Sequence, residues 1–179
     1  MLKNKAIFFD RDGVINIPII KKNKPYPPKE FKDLVLYKQV SKSVLKIRKH
    51  GFKVIVITNQ PDYQRGLIKK KEILRINNYI KKKFKLDKLY VCYDSEDKSF
   101  FKKPNPGMIL KAKKDFNLDL KNSFVIGDTI KDVIAGKKTG CKTFLIKKKY
   151  NLSYKNIANY YVADLYSAIN KIIKTVYER

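Results

Sequence analysis

The chain of 179 residues has two cysteines, Cys92 and Cys141, and a single histidine, His50. Two isolated thiols do not make a disulfide framework, and they suit a reducing compartment. Cys141 reads as a small core residue beside the strand that follows it. No apolar run approaches the roughly 20 residues needed to cross a bilayer, and the N-terminal segment lacks the features of a secretory signal. A cytoplasmic protein without membrane contact is therefore expected. Gly/Ser linkers, internal repeats and breaks in composition are absent too. With 44% apolar residues, one domain over 1–179 around one substantial core is expected. Nothing resembles a coiled-coil seam, which favours a monomer.

Acidic residues are scarce: 16 against 42 lysines and arginines, for a formal charge of +26. Such a field attracts phosphorylated metabolites, nucleic acid or anionic lipid without choosing among them. The lysines are spread through nearly every segment, as in Lys21-Lys22, Lys69 to Lys71, Lys81 to Lys83 and Lys147 to Lys149, so a solvated surface is favoured over a dedicated binding arm.

What is present alternates between strand and helix patterns. Lys5 to Phe9, Phe52 to Thr58, Leu89 to Tyr93, Ser123 to Ile126 and Thr143 to Ile146 read as strands. The continuous run Val54-Ile55-Val56-Ile57 suits a parallel strand covered on both faces. Between them, Ile73, Ile76, Ile80 and Phe84 recur at helical steps, as do Ile109, Ala112 and Phe116. Leu165, Ile169, Ile172 and Val176 repeat the pattern behind a candidate N-cap, Asp164. His50, before Gly51, reads as a helix C-terminal residue. The alternation predicts an α/β fold, a doubly wound and mostly parallel sheet with helices on both faces. Pro18 to Pro28 reads as a stiff, partly polyproline loop, and Asp94 to Pro106 as a polar loop.

Ligands of open parallel sheets bind outside the carboxyl ends of the strands. Asp10-Arg11-Asp12-Gly13 follows the first strand and Thr58-Asn59-Gln60 ends the second. Lys102-Lys103-Pro104 lies in the loop after the third, and Gly127-Asp128 with Asp132 follows the fourth. Taken singly, each has a plainer explanation as a turn, a strand end or a helix start. Their order along one sheet edge suits phosphoryl transfer through a covalent aspartyl phosphate. A carboxylate attacks a phosphate dianion only where their repulsion is cancelled by a divalent cation and fixed donors. Asp10 is the expected nucleophile, sharing Mg²⁺ with Asp128 and the backbone carbonyl of Asp12. The Asp12 side chain is then expected to be free as acid and base. Thr58 and Lys103 are expected to hold the transferring oxygens.

At these residues the sequence resembles the haloacid-dehalogenase superfamily of phosphohydrolases. The resemblance places Asp10 at the nucleophile, Asp12 at the acid/base, Thr58 at the second motif, Lys103 at the third, and Asp128 with Asp132 at the fourth. Phe-Phe-Asp-Arg-Asp-Gly-Val-Ile-Asn, Thr-Asn-Gln through Arg65-Gly66, and Lys-Lys-Pro-Asn-Pro-Gly-Met are similar to the D,D-heptose 1,7-bisphosphate 7-phosphatase and histidinol-phosphatase family, with Arg65-Gly66 tilting toward the heptose branch. The likeness implies a sugar (bis)phosphate substrate and makes Asn59, Arg65 and Lys102 candidates for contacting it. Histidinol phosphate or a polynucleotide 3′-phosphate is the alternative substrate. A basic nucleic-acid-binding module on a phosphatase fold is the alternative outside enzymes. That family commonly carries a zinc loop after the third strand. Here Cys92 remains, Asp94 takes the histidine's place and Phe100 and Phe101 supply no thiol, so no zinc is expected. The intervals Gly13 to Tyr37 and Asn59 to Lys102 leave no room for a cap domain, and the site is expected to be open.

Overall fold

The computed structural model describes residues 3–177. In chain order it contains strand β1 (Lys5–Phe9), a two-stranded hairpin of β2 (Ile19–Lys21) and β3 (Lys24–Tyr26), helix α1 (Val40–Lys49), β4 (Phe52–Asn59), α2 (Lys70–Lys83), β5 (Lys88–Cys92) and α3 (Gly107–Phe116). There follow β6 (Phe124–Gly127), α4 (Ile130–Lys138), β7 (Lys142–Ile146), β8 (Tyr160–Val162) and α5 (Leu165–Tyr177), with short 3-10 turns at Phe31–Asp33 and Lys149–Tyr154.

Six strands form one sheet in the order β5-β4-β1-β6-β7-β8, parallel at every pairing. From β1 the chain builds outward through β4 and β5, then crosses to β6 on the other side of β1. That reversal opens the crevice in which doubly wound sheets bind ligands. The two-residue period of the strands sorts the core. Ile7, Phe9, Val54, Val56, Phe124 and Ile126 pack in one cluster with apolar residues of α1, α2 and α5. Ala6, Phe8, Ile55, Ile57 and Val125 face the opposite way, with Met108, Ile109 and Ala112 of α3 and Ala135 of α4. Both faces of the central strands are thus sealed, as the unbroken apolar runs require.

The helices bury the residues that their periodicity marks: Ile73, Ile76 and Ile80 on α2, and Leu165, Ile169 and Ile172 on α5. Asp164 caps α5 by accepting from Ser167 N at 2.7 Å, and His50 is the C-cap of α1. Cys141 is buried just before β7. No helix among the described residues is long and apolar enough to cross a membrane.

Two elements depart from expectation. Residues 18–28 are not a polyproline loop: Ile19 pairs with Tyr26 and Lys21 with Lys24 in an antiparallel ribbon. Its turn residues, Lys22 and Asn23, have φ of 47° and 57°, the left-handed conformation that two-residue hairpins need. Pro25 is tolerated because each strand of a two-stranded ribbon is an edge. The sheet also gains β8, a three-residue strand beside β7.

Candidate active site

Asp10 stands just beyond β1, where Asp10 N donates to Ile126 O of β6 at 3.0 Å and carries the sheet's pairing one step further. Its Oδ1 accepts from Arg11 N at 2.7 Å and lies 2.9 Å from Lys103 Nζ. Lys103 Nζ also donates to Ile57 O at 2.9 Å and to Asp132 Oδ1 at 2.6 Å, so all three ammonium protons are engaged. Asp132 Oδ2 accepts from Thr129 N at 3.1 Å and Thr129 Oγ1 at 2.7 Å, half of a capping box that starts α4. Gly127 admits this arrangement because a Cβ there would come within 2.2 Å of Asp132 Cβ.

Asp128 completes the group. Asp10, Asp128 and Asp132 each offer an oxygen, and these oxygens lie within 4.8 Å of one another. Asp128 Oδ1 is buried without a hydrogen-bond partner, whereas Oδ2 accepts from the Tyr150 hydroxyl. Three buried carboxylates meet one ammonium, and the imbalance shows in the acidities of Asp10 and Asp128. Burial, opposed by Lys103 and reinforced by Asp132 and Asp12, raises the Asp10 pKa to about 7. Burial, together with Asp10 and Asp132, pushes Asp128 well above the carboxylate range. Burial alone would depress Lys103, but Asp10 and Asp132 raise it. An orphaned buried oxygen beside clustered hard oxygen donors and surplus negative charge fits a hard divalent cation.

Gly13 makes room for this group. Its φ is +93°, and a Cβ on it would lie 1.9 Å from Asp128 Oδ2. Gly13→Ala is therefore expected to combine backbone strain with displacement of Asp128, costing about 2–4 kcal/mol. Urea unfolding of the variant, beside metal titration, checks this; a stability within about 0.5 kcal/mol of wild type would contradict it.

The Asp12 carboxyl, expected to act as acid and base rather than as a metal ligand, is held by hydrogen bonds that the sequence did not suggest. Arg11, fully buried, donates to it from Nη2 at 2.9 and 3.1 Å and from Nε at 3.3 Å. Asn16 Nδ2 and Gln60 Nε2 add bonds of 3.0 and 2.8 Å. The cause is the burial of Arg11, whose Nη1 reaches Asn77 of α2 at 2.8 Å and which needs a carboxylate beside it.

A cleft of about 330 Å³ opens over this floor, lined by Asp10, Asp12, Asn59, Arg65, Lys102 and Lys103 among others. Thr58 is fully buried and does not line it; its Oγ1 accepts from Gln60 Nε2 at 2.9 Å. The Asn59 amide is committed to the Lys103 backbone, donating to its carbonyl at 2.9 Å and accepting from its N–H at 3.0 Å. It thus places the lysine, a use that the sequence did not suggest, while Asn59 also lines the cleft. Arg65 lies 3.3 Å from Asp62 and Lys102 lies 2.8 Å from Asp97. Sequence reasoning missed Arg11, Asn16 and Gln60 as supports of Asp12, Tyr150 as a partner of Asp128, and Tyr26 and Lys131 as cleft walls.

Residues 10–146 match the family described as Haloacid dehalogenase-like hydrolase. Among curated proteins, the chain is 35% identical over 150 residues to a D-glycero-alpha-D-manno-heptose-1,7-bisphosphate 7-phosphatase of Campylobacter jejuni, covering 81% of this chain and 83% of that one. It is 33% identical over 153 residues to a D-glycero-beta-D-manno-heptose-1,7-bisphosphate 7-phosphatase of Helicobacter pylori, covering 82% and 85%. Among solved structures, it superposes with a TM-score of 0.82 and 21% identity on D,D-heptose 1,7-bisphosphate phosphatase from B. bronchiseptica, a structure complexed with magnesium and phosphate, covering 96% of this chain and 99% of that one.

Proposed function

The chain belongs to the haloacid dehalogenase-like hydrolase family, and from that premise we propose that it is a Mg²⁺-dependent phosphatase that removes the 7-phosphate of a D-glycero-D-manno-heptose 1,7-bisphosphate. The observation that carries the reading is the buried group of Asp10, Asp128 and Asp132 around Lys103, at the sheet's switch point and under an open cleft. The activities named for the Campylobacter jejuni and Helicobacter pylori relatives support the substrate.

A carboxylate oxygen of Asp10 attacks phosphorus as the bond to the leaving sugar oxygen breaks, and the phosphoryl group passes to Asp10. Asp12 gives the departing alkoxide its proton, then takes one from the water that hydrolyses the aspartyl phosphate. Arg11, Asn16 and Gln60 hold the Asp12 carboxyl beside the cleft. Lys103 supplies positive charge beside the oxygens in transit. Asp10, Asp128 and the Asp12 backbone carbonyl would hold Mg²⁺, which when bound supplies charge neutralisation to the phosphate and the nucleophile. Arg65 and Lys102 bind the remainder of the substrate, with Lys131 a further cation on the same cleft. The reacting groups lie at the buried floor of the cleft, and Arg65, Lys102 and Lys131 on its walls would meet the second phosphate of a bisphosphate.

The deciding experiment is phosphate release with Mg²⁺ from both anomers of the heptose bisphosphate, other sugar bisphosphates, histidinol phosphate, nucleotides and a 3′-phosphorylated oligonucleotide. The highest kcat/KM is expected on a heptose bisphosphate; a preference for the oligonucleotide or histidinol phosphate would overturn the substrate assignment.

Metal binding carries its own pH signature. Because Asp10 has a folded pKa near 7 against 3.8 for the ordinary group, the folded state holds the extra proton between those values. The electrostatic penalty on the metal-free fold is thus absent below pH 3.8, grows through the window, and is complete above about 7. Cations compete with that proton, so the rise in Tm on adding MgCl₂ should be larger at pH 8 than at pH 6. Differential scanning calorimetry at both pH values checks this, and equal rises would count against Asp10 as a ligand.

A further inference from the structure

The 3-10 turn at Lys149–Tyr154 has no part in the chemistry above, yet it delivers two side chains to Asp128. Asn151 is buried and donates through Nδ2 to the carbonyls of both Asp128 and Ile146 at 2.8 Å, which fastens the turn to the ends of β6 and β7. With the turn so held, Tyr150 donates its phenol proton to Asp128 Oδ2. The Asp128 carboxylate therefore has one oxygen occupied and one, Oδ1, buried and without a partner. Gly13 passes so close that its missing Cβ would overlap the same carboxylate.

We infer that Tyr150 is a positioning residue that restricts Asp128 to a single ligating oxygen, and that this restriction selects a small octahedral cation, Mg²⁺, over a larger one, Ca²⁺. The inference rests on the magnesium reading given above. Its logic is coordination chemistry. Mg²⁺ demands near-ideal octahedral geometry with few carboxylates, whereas Ca²⁺ takes more oxygens in looser geometry and readily accepts both oxygens of one carboxylate. A carboxylate whose Oδ2 is held by a phenol presents its unpartnered Oδ1 first, because the phenol takes one Oδ2 lone pair and fixes the group's orientation. Without the hydroxyl, both oxygens become available and the group can turn, which weakens the first kind of site and improves the second. Such supporting hydrogen bonds commonly govern metal affinity by 10- to 100-fold.

Calorimetric titration of the metal-free full chain with MgCl₂, and separately with CaCl₂, tests this in wild type and Tyr150→Phe. The wild type is expected to bind Mg²⁺ more tightly than Ca²⁺. In the variant the Kd for Mg²⁺ should rise about tenfold, with the preference moving toward Ca²⁺ by at least as much. Tyr150→Leu, which lacks both hydroxyl and ring, should move the preference the same way. Equal weakening for both ions would mean that the tyrosine merely props the turn, and unchanged constants would mean that it does nothing; either result overturns the inference while leaving the magnesium reading standing. A wild type that prefers Ca²⁺ overturns it without recourse to any variant. A wild type that binds no Mg²⁺ removes both readings together.

Discussion

Asp10→Asn should lower phosphate release by at least about 10⁴-fold while the protein remains folded and, without metal, becomes more stable than wild type. The two effects have one source. The amide keeps the shape of the carboxylate and an oxygen for Arg11 N and Lys103 Nζ, so the local hydrogen bonds survive. It lacks the electron-rich oxygen that attacks phosphorus, so the covalent step is lost. It also removes one of three carboxylates crowded around one ammonium, which relieves the repulsion that adds to burial in raising the pKa values of Asp10 and Asp128. Steady-state assays beside thermal melts with EDTA distinguish this from general damage. Turnover within tenfold of wild type would remove Asp10 as the nucleophile, and a lower Tm would contradict the electrostatic account.

Lys103→Met should act in the opposite sense on stability and in the same sense on activity. Lys103 is 3% exposed, and its ammonium touches Asp10, Asp132 and the Ile57 carbonyl. Methionine fills most of the stem's volume but leaves the carboxylates facing one another without a cation. Loss of one partner from a buried charge group costs about 3–5 kcal/mol, more than any surface lysine of this chain should. The loss should shrink at pH 5.5, where the raised carboxylates accept protons in place of the missing charge. Urea unfolding at pH 8 and pH 5.5, with assays at pH 8, measures both consequences. A variant as stable as wild type at pH 8 would mean that the carboxylates are already neutral there.

Much of the architecture follows from local pattern. Val54 to Ile57 announces a strand buried on both faces, and the acidic residues fall at strand ends because the topology turns every parallel strand the same way. The failures have physical causes as well. Tyr160–Val162 is a half-buried edge strand of three residues, too short to show a period. The hairpin at Ile19–Tyr26 is hidden by prolines, although Lys22-Asn23 is a workable turn once two strands flank it. In the site, Asp10 and Asp128 are legible because each directly follows a strand, Asp132 because it sits in the first turn of the next helix, and Lys103 because Lys-Lys-Pro stands out in the loop before α3. Tyr150 and Asn151 are not, since their value depends on how a 3-10 turn folds back over β6. Arg11 is opaque for another reason: its burial is decided by Asn77, 66 residues away on α2.

The paired hydrogen bonds between the Asn59 amide and the Lys103 backbone separate two jobs along one stretch of chain. Lys103 is moored to the end of β4, so the preceding stretch from Asp94 to Ser99 does not have to be rigid to keep the ammonium in register. That stretch is accordingly the place where length and composition can drift, or be redesigned to admit new substrates, with the reactive machinery left intact as long as Asn59 is retained.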